Sequence, residues 1–270
     1  MSITNGGPFR FLGGYGARNR CIRNESNSAK RTSYIFDLSA ARVCRAIVLS
    51  PVFILVLGLA IGFIGVGEAA AGDTTFASNM DSVSVFGANE LKVKKSNTFR
   101  RWDSMLERYA EQELRLAKGH GRINEERGSK LWDAVINSLK DLDPVTQIKE
   151  INSYFNAFTY QSDAKNYAIQ DYWATPFQFL SRAKGDCEDF AAAKYLALRA
   201  LGFHSNQLRL VVGYDRSRGS AHTVILVVVK GRVLTLDIGD DSIVEMSGVK
   251  LFDPFYSVTE SEGWMHLKRA

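Results

Sequence analysis

Cysteine is scarce in this chain: of 270 residues only Cys21, Cys44 and Cys187 are cysteines, and only Cys187 lies beyond the single long uncharged run. The larger C-terminal part therefore has no internal disulfide and is not a disulfide-stapled scaffold. Net charge is lacking there too. Residues 1–71 hold eight Lys/Arg and three Asp/Glu, whereas 72–270 hold twenty-six of each. The overall charge of +5 belongs to the leader and does not point to a nucleic-acid partner. With 46% apolar and 23% charged residues, disorder throughout is excluded, and the length allows one sizeable domain plus an extension.

The uncharged run is Ala46 to Val66, preceded by Arg42 and Arg45 and followed by Glu68-Ala69-Ala70-Ala71-Gly72. Small residues at Ala69 and Ala71 fit a signal-peptidase site, and the run is also long enough to span a bilayer uncleaved. The basic side faces the cytoplasm, so either way the remainder is exported. The expected organisation is a basic n-region or cytoplasmic tail over 1–45, a signal peptide or anchor over 46–71, a polar linker over 72–96, and the functional domain over 97–270.

Helical periodicity sets in at Phe99 and continues through Trp102, Leu106, Tyr109, Leu114 and Ala117, stopping before Gly119. A second helix is predicted around Leu131 to Leu139. A third starts at Asp143-Pro144, a cap followed by proline at the first helical position, and runs through Phe155 and Phe158. These aromatic stripes read as core. A loop, Tyr167 to Pro176, leads to Gly185-Asp186-Cys187-Glu188-Asp189-Phe190 and an Ala/Leu-rich run ending at Gly202. There Asp186 is the expected N-cap, and Cys187 falls in the first turn. After Gly202 the pattern becomes strands: Leu208 to Val212, then His222 to Val229 and Arg232 to Asp237 as a hairpin about Lys230-Gly231. The class is α+β, with N-terminal helices and a Cys-bearing helix packed on an antiparallel sheet. Scattered aromatics from Leu251 to Trp264 are expected against the sheet's edge.

The hairpin permits a geometric test. A two-residue turn at Lys230-Gly231 pairs residues whose numbers sum to 461, so Asp237 lies opposite Val224, on His222's face and two positions away. Such diagonal neighbours are roughly 7–8 Å apart at the backbone, within reach of an imidazole and a carboxylate. The chain thus supplies a cysteine at a helix start, where the dipole favours a thiolate, then a histidine and an aspartate on adjacent strands. A nucleophile, a base and an orienting acid are what acyl transfer needs. The Cys187 N–H is one candidate oxyanion donor, with Gln178 and the Trp173 loop as candidates for a second.

Around the thiol, Asp186, Glu188 and Asp189 would raise its pKa if left bare. Two readings stay open. A bound calcium ion would cancel the charge, or Asp186 is a cap, Asp189 completes a capping box and Glu188 is solvated.

Trp173-Ala-Thr-Pro176, Gly185-Asp-Cys-Glu-Asp-Phe190, Lys194-Tyr195, Leu201-Gly202, Ala221-His222 and Leu236-Asp237 together resemble the bacterial transglutaminase-like cysteine proteinases over roughly Phe99 to Trp264. The resemblance implies a papain-like or transglutaminase-like domain with Cys187 as nucleophile, His222 as base and Asp237 as orienting acid. It also implies calcium held through Asp186, Glu188 and Asp189, a periplasmic location, and a large surface adhesin cut near its N-terminus so that cells leave a biofilm. An inhibitory inner-membrane receptor for cyclic di-GMP is a further expected partner. Thr223 and Ile238 depart from the family pattern, which has a larger apolar residue such as Met after the histidine and Asn after the aspartate. Two other functions use the same residues: a transglutaminase or acyltransferase in which an amine replaces water, and a non-catalytic envelope module that binds a partner.

Overall fold

Strand β1 (Asn89–Val93) precedes three helices, α1 (Arg100–Ala117), α2 (Ile123–Leu139) and α3 (Pro144–Asn156). The computed structural model describes residues 79–94 and 98–267; the tail 1–45 and the apolar run 46–66 lie outside the described residues. Among the described residues no helix is long and apolar enough to cross a membrane. Residues 79–94 correct the linker reading. Met80 and Val85 are buried in a small apolar cluster, and β1 pairs with the last strand. The segment looks like a linker because only every few residues is apolar, and both neighbours it covers come from the far end of the chain.

The helices form largely as their patterns dictate. Asp143 caps α3 by accepting from Val145 N at 3.1 Å, with Pro144 at the first helical position. Helix α2 begins eight residues before Leu131 because its first two turns carry polar residues with no apolar stripe to read; buried Glu125 there pairs with Arg115 at 2.7 Å. On α1 the expected stripe breaks at Leu114, which is exposed, while Gln112 is buried and accepts from Thr175 Oγ1 at 2.6 Å. Helix α3 ends at Asn156, so Phe158 follows in a turn and still packs on Phe179.

A two-residue strand β2 (Thr159–Tyr160) and a single turn α4 (Asp163–Asn166) come next, then α5 (Pro176–Arg182), β3 (Lys184–Gly185) and α6 (Cys187–Ala200). Six further strands complete the domain: β4 (Leu208–Asp215), β5 (Ser220–Val229), β6 (Arg232–Leu236), β7 (Val244–Glu245), β8 (Phe252–Val258) and β9 (Gly263–Leu267). The C-terminal aromatics are therefore mostly strand residues rather than packing on an edge.

The main sheet has the order β1-β9-β8-β4-β5-β6-β7, with every neighbouring pair antiparallel. One face carries Ile225, Val227, Leu234 and Leu236 against the helices. The other carries Val211, Val224, Leu226 and Val228 beneath Met80, Val85 and Phe252. Burial on both faces explains why β5 is a continuous β-branched run rather than an alternating one. Each fully buried large apolar side chain, Phe155 for example, contributes about 1.5–3 kcal/mol. The β5–β6 pairing runs from Val229↔Arg232 to Ile225↔Leu236, the register expected from the sequence. Lys230 and Gly231 have φ of 49° and 75°, the two positive values that a tight primed hairpin turn requires.

Candidate active site

Helix α6 opens with Asp186 at its N-cap and Cys187 as its first residue. Its start is fixed from inside. Asp189, fully buried, accepts from Asp186 N at 3.4 Å and from Ala174 N at 2.6 Å, tying the helix to the Trp173 loop. A Cβ on Gly185 would lie 2.4 Å from Asp189 Oδ2, so only glycine lets the carboxylate fold back under the helix start. Trp173 is itself buried and packs edge-on against Trp102. Gln178 accepts from Thr175 N at 3.0 Å and bonds the Tyr172 hydroxyl, so its amide serves to cap α5.

The strands deliver the second part. His222 lies on β5 and Asp237 immediately after β6, and His222 Nε2 donates to Asp237 Oδ1 at 2.5 Å. His222 is 1% exposed, and its ring meets that of Phe252 in a T-shaped pair with centroids 6.5 Å apart. Asp237 also accepts from Arg218 Nη2 at 2.9 Å and from Ile238 N at 2.6 Å. Burial alone would push the Asp237 carboxyl up, but the bond from His222 and the charges of His222 and Arg218 hold it below the usual carboxylate range. Arg218 was not anticipated. It sits in the β4–β5 turn, pairs with Asp215 at 3.3 Å, and places Nη1 3.2 Å from His222 Nδ1. An arginine three residues beyond a strand looks like any solvated turn residue, and the sequence holds no signal that singles it out.

The third part is acidic. Ligand oxygens of Asp163, Asp186 and Glu188 lie within 4.8 Å of one another, and all three residues are buried. Asp163 joins the two expected acids in this group, while the oxygens of Asp189, the third acid expected there, accept from backbone N–H groups. Short parallel pairing of β2 with β3, Tyr160 opposite Gly185, brings α4 beside the helix start. A bridge of two residues has no period to read, so nothing in the sequence separated Asp163 from the other acids.

Asp163 Oδ2 accepts from Tyr172 N at 2.6 Å, but Asp163 Oδ1 and Asp186 Oδ1 are buried without a hydrogen-bond partner. Burial, with each acid repelling the next, pushes Asp186 up to about 12; burial is the main cause for Glu188, up to about 7, and Asp163, up to about 6. Orphaned buried carboxylate oxygens are rare and costly. An all-oxygen set of this kind fits a hard cation. Glu188 Oε2 also accepts from Cys187 Sγ at 2.9 Å, so one carboxylate joins the cluster to the thiol.

The model of the bacterial transglutaminase-like cysteine proteinases, BTLCP, matches residues 133–269. The chain belongs to this family. As a transglutaminase-like cysteine proteinase it has the expected α+β fold, and its family is one of cysteine peptidases. Among solved structures it is similar to LapG of Legionella pneumophila, at 32% identity over 57% of this chain and 86% of that one, with a TM-score of 0.48. A calcium-bound form of the same protein matches at 32% identity over 59% and 89%, TM-score 0.49, and an EGTA-treated form at 32% over 59% and 87%, TM-score 0.49. No curated protein matches the chain.

Proposed function

We propose that this proteinase is a calcium-dependent cysteine endopeptidase of the cell envelope, with Cys187, His222 and Asp237 as its triad. The observation that carries the reading is the His222–Asp237 bond of 2.5 Å in a family whose reaction needs an oriented imidazole. With Nε2 bonded to Asp237, Nδ1 is the nitrogen that takes the Cys187 proton; Arg218 Nη1, which lies against Nε2 and 3.2 Å from Nδ1, moves off the ring while Nη2 keeps its hold on Asp237.

The thiolate is favoured at the first position of α6 by the unpaired N–H groups and the dipole. It attacks a peptide carbonyl, and the Cys187 N–H, unpaired within the helix at this first position, would donate to the oxyanion. Imidazolium returns its proton to the departing amine, leaving a thioester. Water, deprotonated by His222, then cleaves the thioester and releases the new carboxyl terminus.

Asp163, Asp186 and Glu188 would hold the calcium ion, which supplies positive charge where three buried carboxylates face one another beside the thiol. The chain's own contribution is to keep Glu188 turned into that cluster and in contact with Sγ. The leader pattern supports export to the periplasm, either released or anchored through 46–66. Family resemblance supports a large surface adhesin as substrate, an inhibitory inner-membrane cyclic di-GMP receptor as partner, and control of biofilm detachment as the outcome.

The test is incubation of the purified protein with the N-terminal segment of the cell's largest adhesin, in calcium and in EGTA, alongside Cys187→Ala. Cleavage that needs both calcium and Cys187 is expected. Cleavage indifferent to EGTA overturns the calcium dependence, and an intact adhesin in calcium overturns the substrate.

A further inference from the structure

Lys194 is 1% exposed, on the helix that carries Cys187 and two turns along from it. Its ammonium donates to Asn152 Oδ1 at 2.7 Å, to Asn156 Oδ1 at 2.7 Å and to the Asp237 carbonyl at 2.8 Å. Three donors meet three acceptors, the full capacity of an ammonium. Asn152 and Asn156 are one turn apart on α3, and their amide nitrogens continue the network. Asn152 donates to the Asp240 carbonyl at 3.2 Å, and Asn156 donates to the same carbonyl at 2.9 Å and to Asp241 Oδ1 at 3.1 Å.

The segment so held needs support. Strand β6 ends at Leu236 and β7 begins at Val244, so Asp237 to Asp241 lie outside the ladder. Burial pushes Lys194 down to about 7 against the pull of Asp237 and Asp241. A methionine would fill the same space without that cost, so packing alone does not explain a lysine here.

We propose that Lys194, with Asn152 and Asn156, is a positioning residue for the catalytic acid: it fastens the backbone of Asp237 to the helix bearing Cys187, so that nucleophile and acid are set from one rigid element. The inference rests on the triad reading. Lys194 touches no reacting atom and acts through Asp237, which orients His222. A displacement of the acid on the order of 1 Å is enough to cost about a hundredfold in rate.

The experiment compares Lys194→Met, Asp237→Asn and the double variant in the full chain with calcium. It reads kcat and KM on an adhesin-derived peptide, the melting temperature, and the iodoacetamide alkylation rate at Cys187 identified by peptide mass. Expected for Lys194→Met is a kcat about ten- to a hundredfold lower, an unchanged KM, and slower alkylation. In the Asp237→Asn background the lysine change should then do nothing further, since its action runs through that carboxylate. A wild-type kcat in folded Lys194→Met overturns the proposal, as does the same fold-loss in both backgrounds, which marks a purely structural lysine.

If Lys194→Met does not fold, Asn156→Ala removes one acceptor of the ammonium and that residue's own bonds to Asp240 and Asp241, leaving those of Asn152, and is read by the same cycle. Alkylation needs no peptide, so the clamp is decided even if the wild-type protein cuts nothing, an outcome that overturns the protease reading separately.

Discussion

Two carboxylate sites stand within this proteinase, and they are closed in opposite ways. Asp237 is met by His222, Arg218 and the Ile238 N–H, and its pKa is held down despite burial. Asp186 is met by two more acids, Asp163 and Glu188, and its pKa is driven up to about 12. The first site is electrically complete in the protein alone. The second has no counter-charge among the described residues that meet it, and on the proposed function a calcium ion would supply it.

The comparison breaks most visibly if the complete site is dismantled. Cys187→Ala and His222→Ala are each expected to lower kcat/KM by at least about a thousandfold, and Asp237→Asn by on the order of a thousandfold with the fold retained, measured on the adhesin segment. In the incomplete site, Asp163→Asn removes one charge from the cluster and is expected to raise the calcium concentration for half-maximal activity about tenfold or more. An unchanged calcium requirement would remove Asp163 from the set.

The pH dependence of stability follows from the same acids. In the folded protein without metal, Asp163 and Glu188 titrate at about 6 and about 7, above their values in the unfolded chain. Their favourable contribution is present below pH ~4 and is lost as pH rises through 6 and 7. The melting temperature in EGTA should therefore fall across that interval, and the increment on adding calcium should grow. A flat increment would show that the cluster does not bind the ion.

The smallest effect is expected at Lys92 and Glu262, an ion pair exposed on both sides. Lys92→Ala should change stability by no more than about 0.5 kcal/mol in a denaturant melt, which calibrates how little a pair contributes when water already surrounds it.

The complete site was the legible one. A hairpin with a two-residue turn has a single register, so the pairing of His222 with Asp237 could be computed from residue numbers, and Cys187 was marked by the cap and the glycine around its helix. The incomplete site was half legible. Asp186 and Glu188 flank the cysteine, but Asp163 arrives through a parallel bridge of two residues, which leaves no trace in periodicity. Asp189 stayed open between ligand and cap because an acid at the third position of a helix suits both, and its capping bonds depend in part on Ala174, which approaches from another loop. Arg218 and residues 79–94 were missed for a related reason: their partners are distant in the chain, and their types are common on any surface.

Strand β1 sets where this proteinase can be cut. Its Glu90 holds Arg209 at 2.9 Å, a guanidinium 2% exposed and stacked 3.4 Å from the Trp264 ring centroid. A recombinant chain begun at Thr98 would strand that charge, at a cost of about 3–5 kcal/mol, and leave β9 as a bare edge able to template aggregation. The family match begins at residue 133, but residues from Met80 onward pack on the domain through the cluster with Val85 and through β1. Expression boundaries drawn from the match alone should yield inclusion bodies, and those drawn upstream of Asn79 should yield folded enzyme.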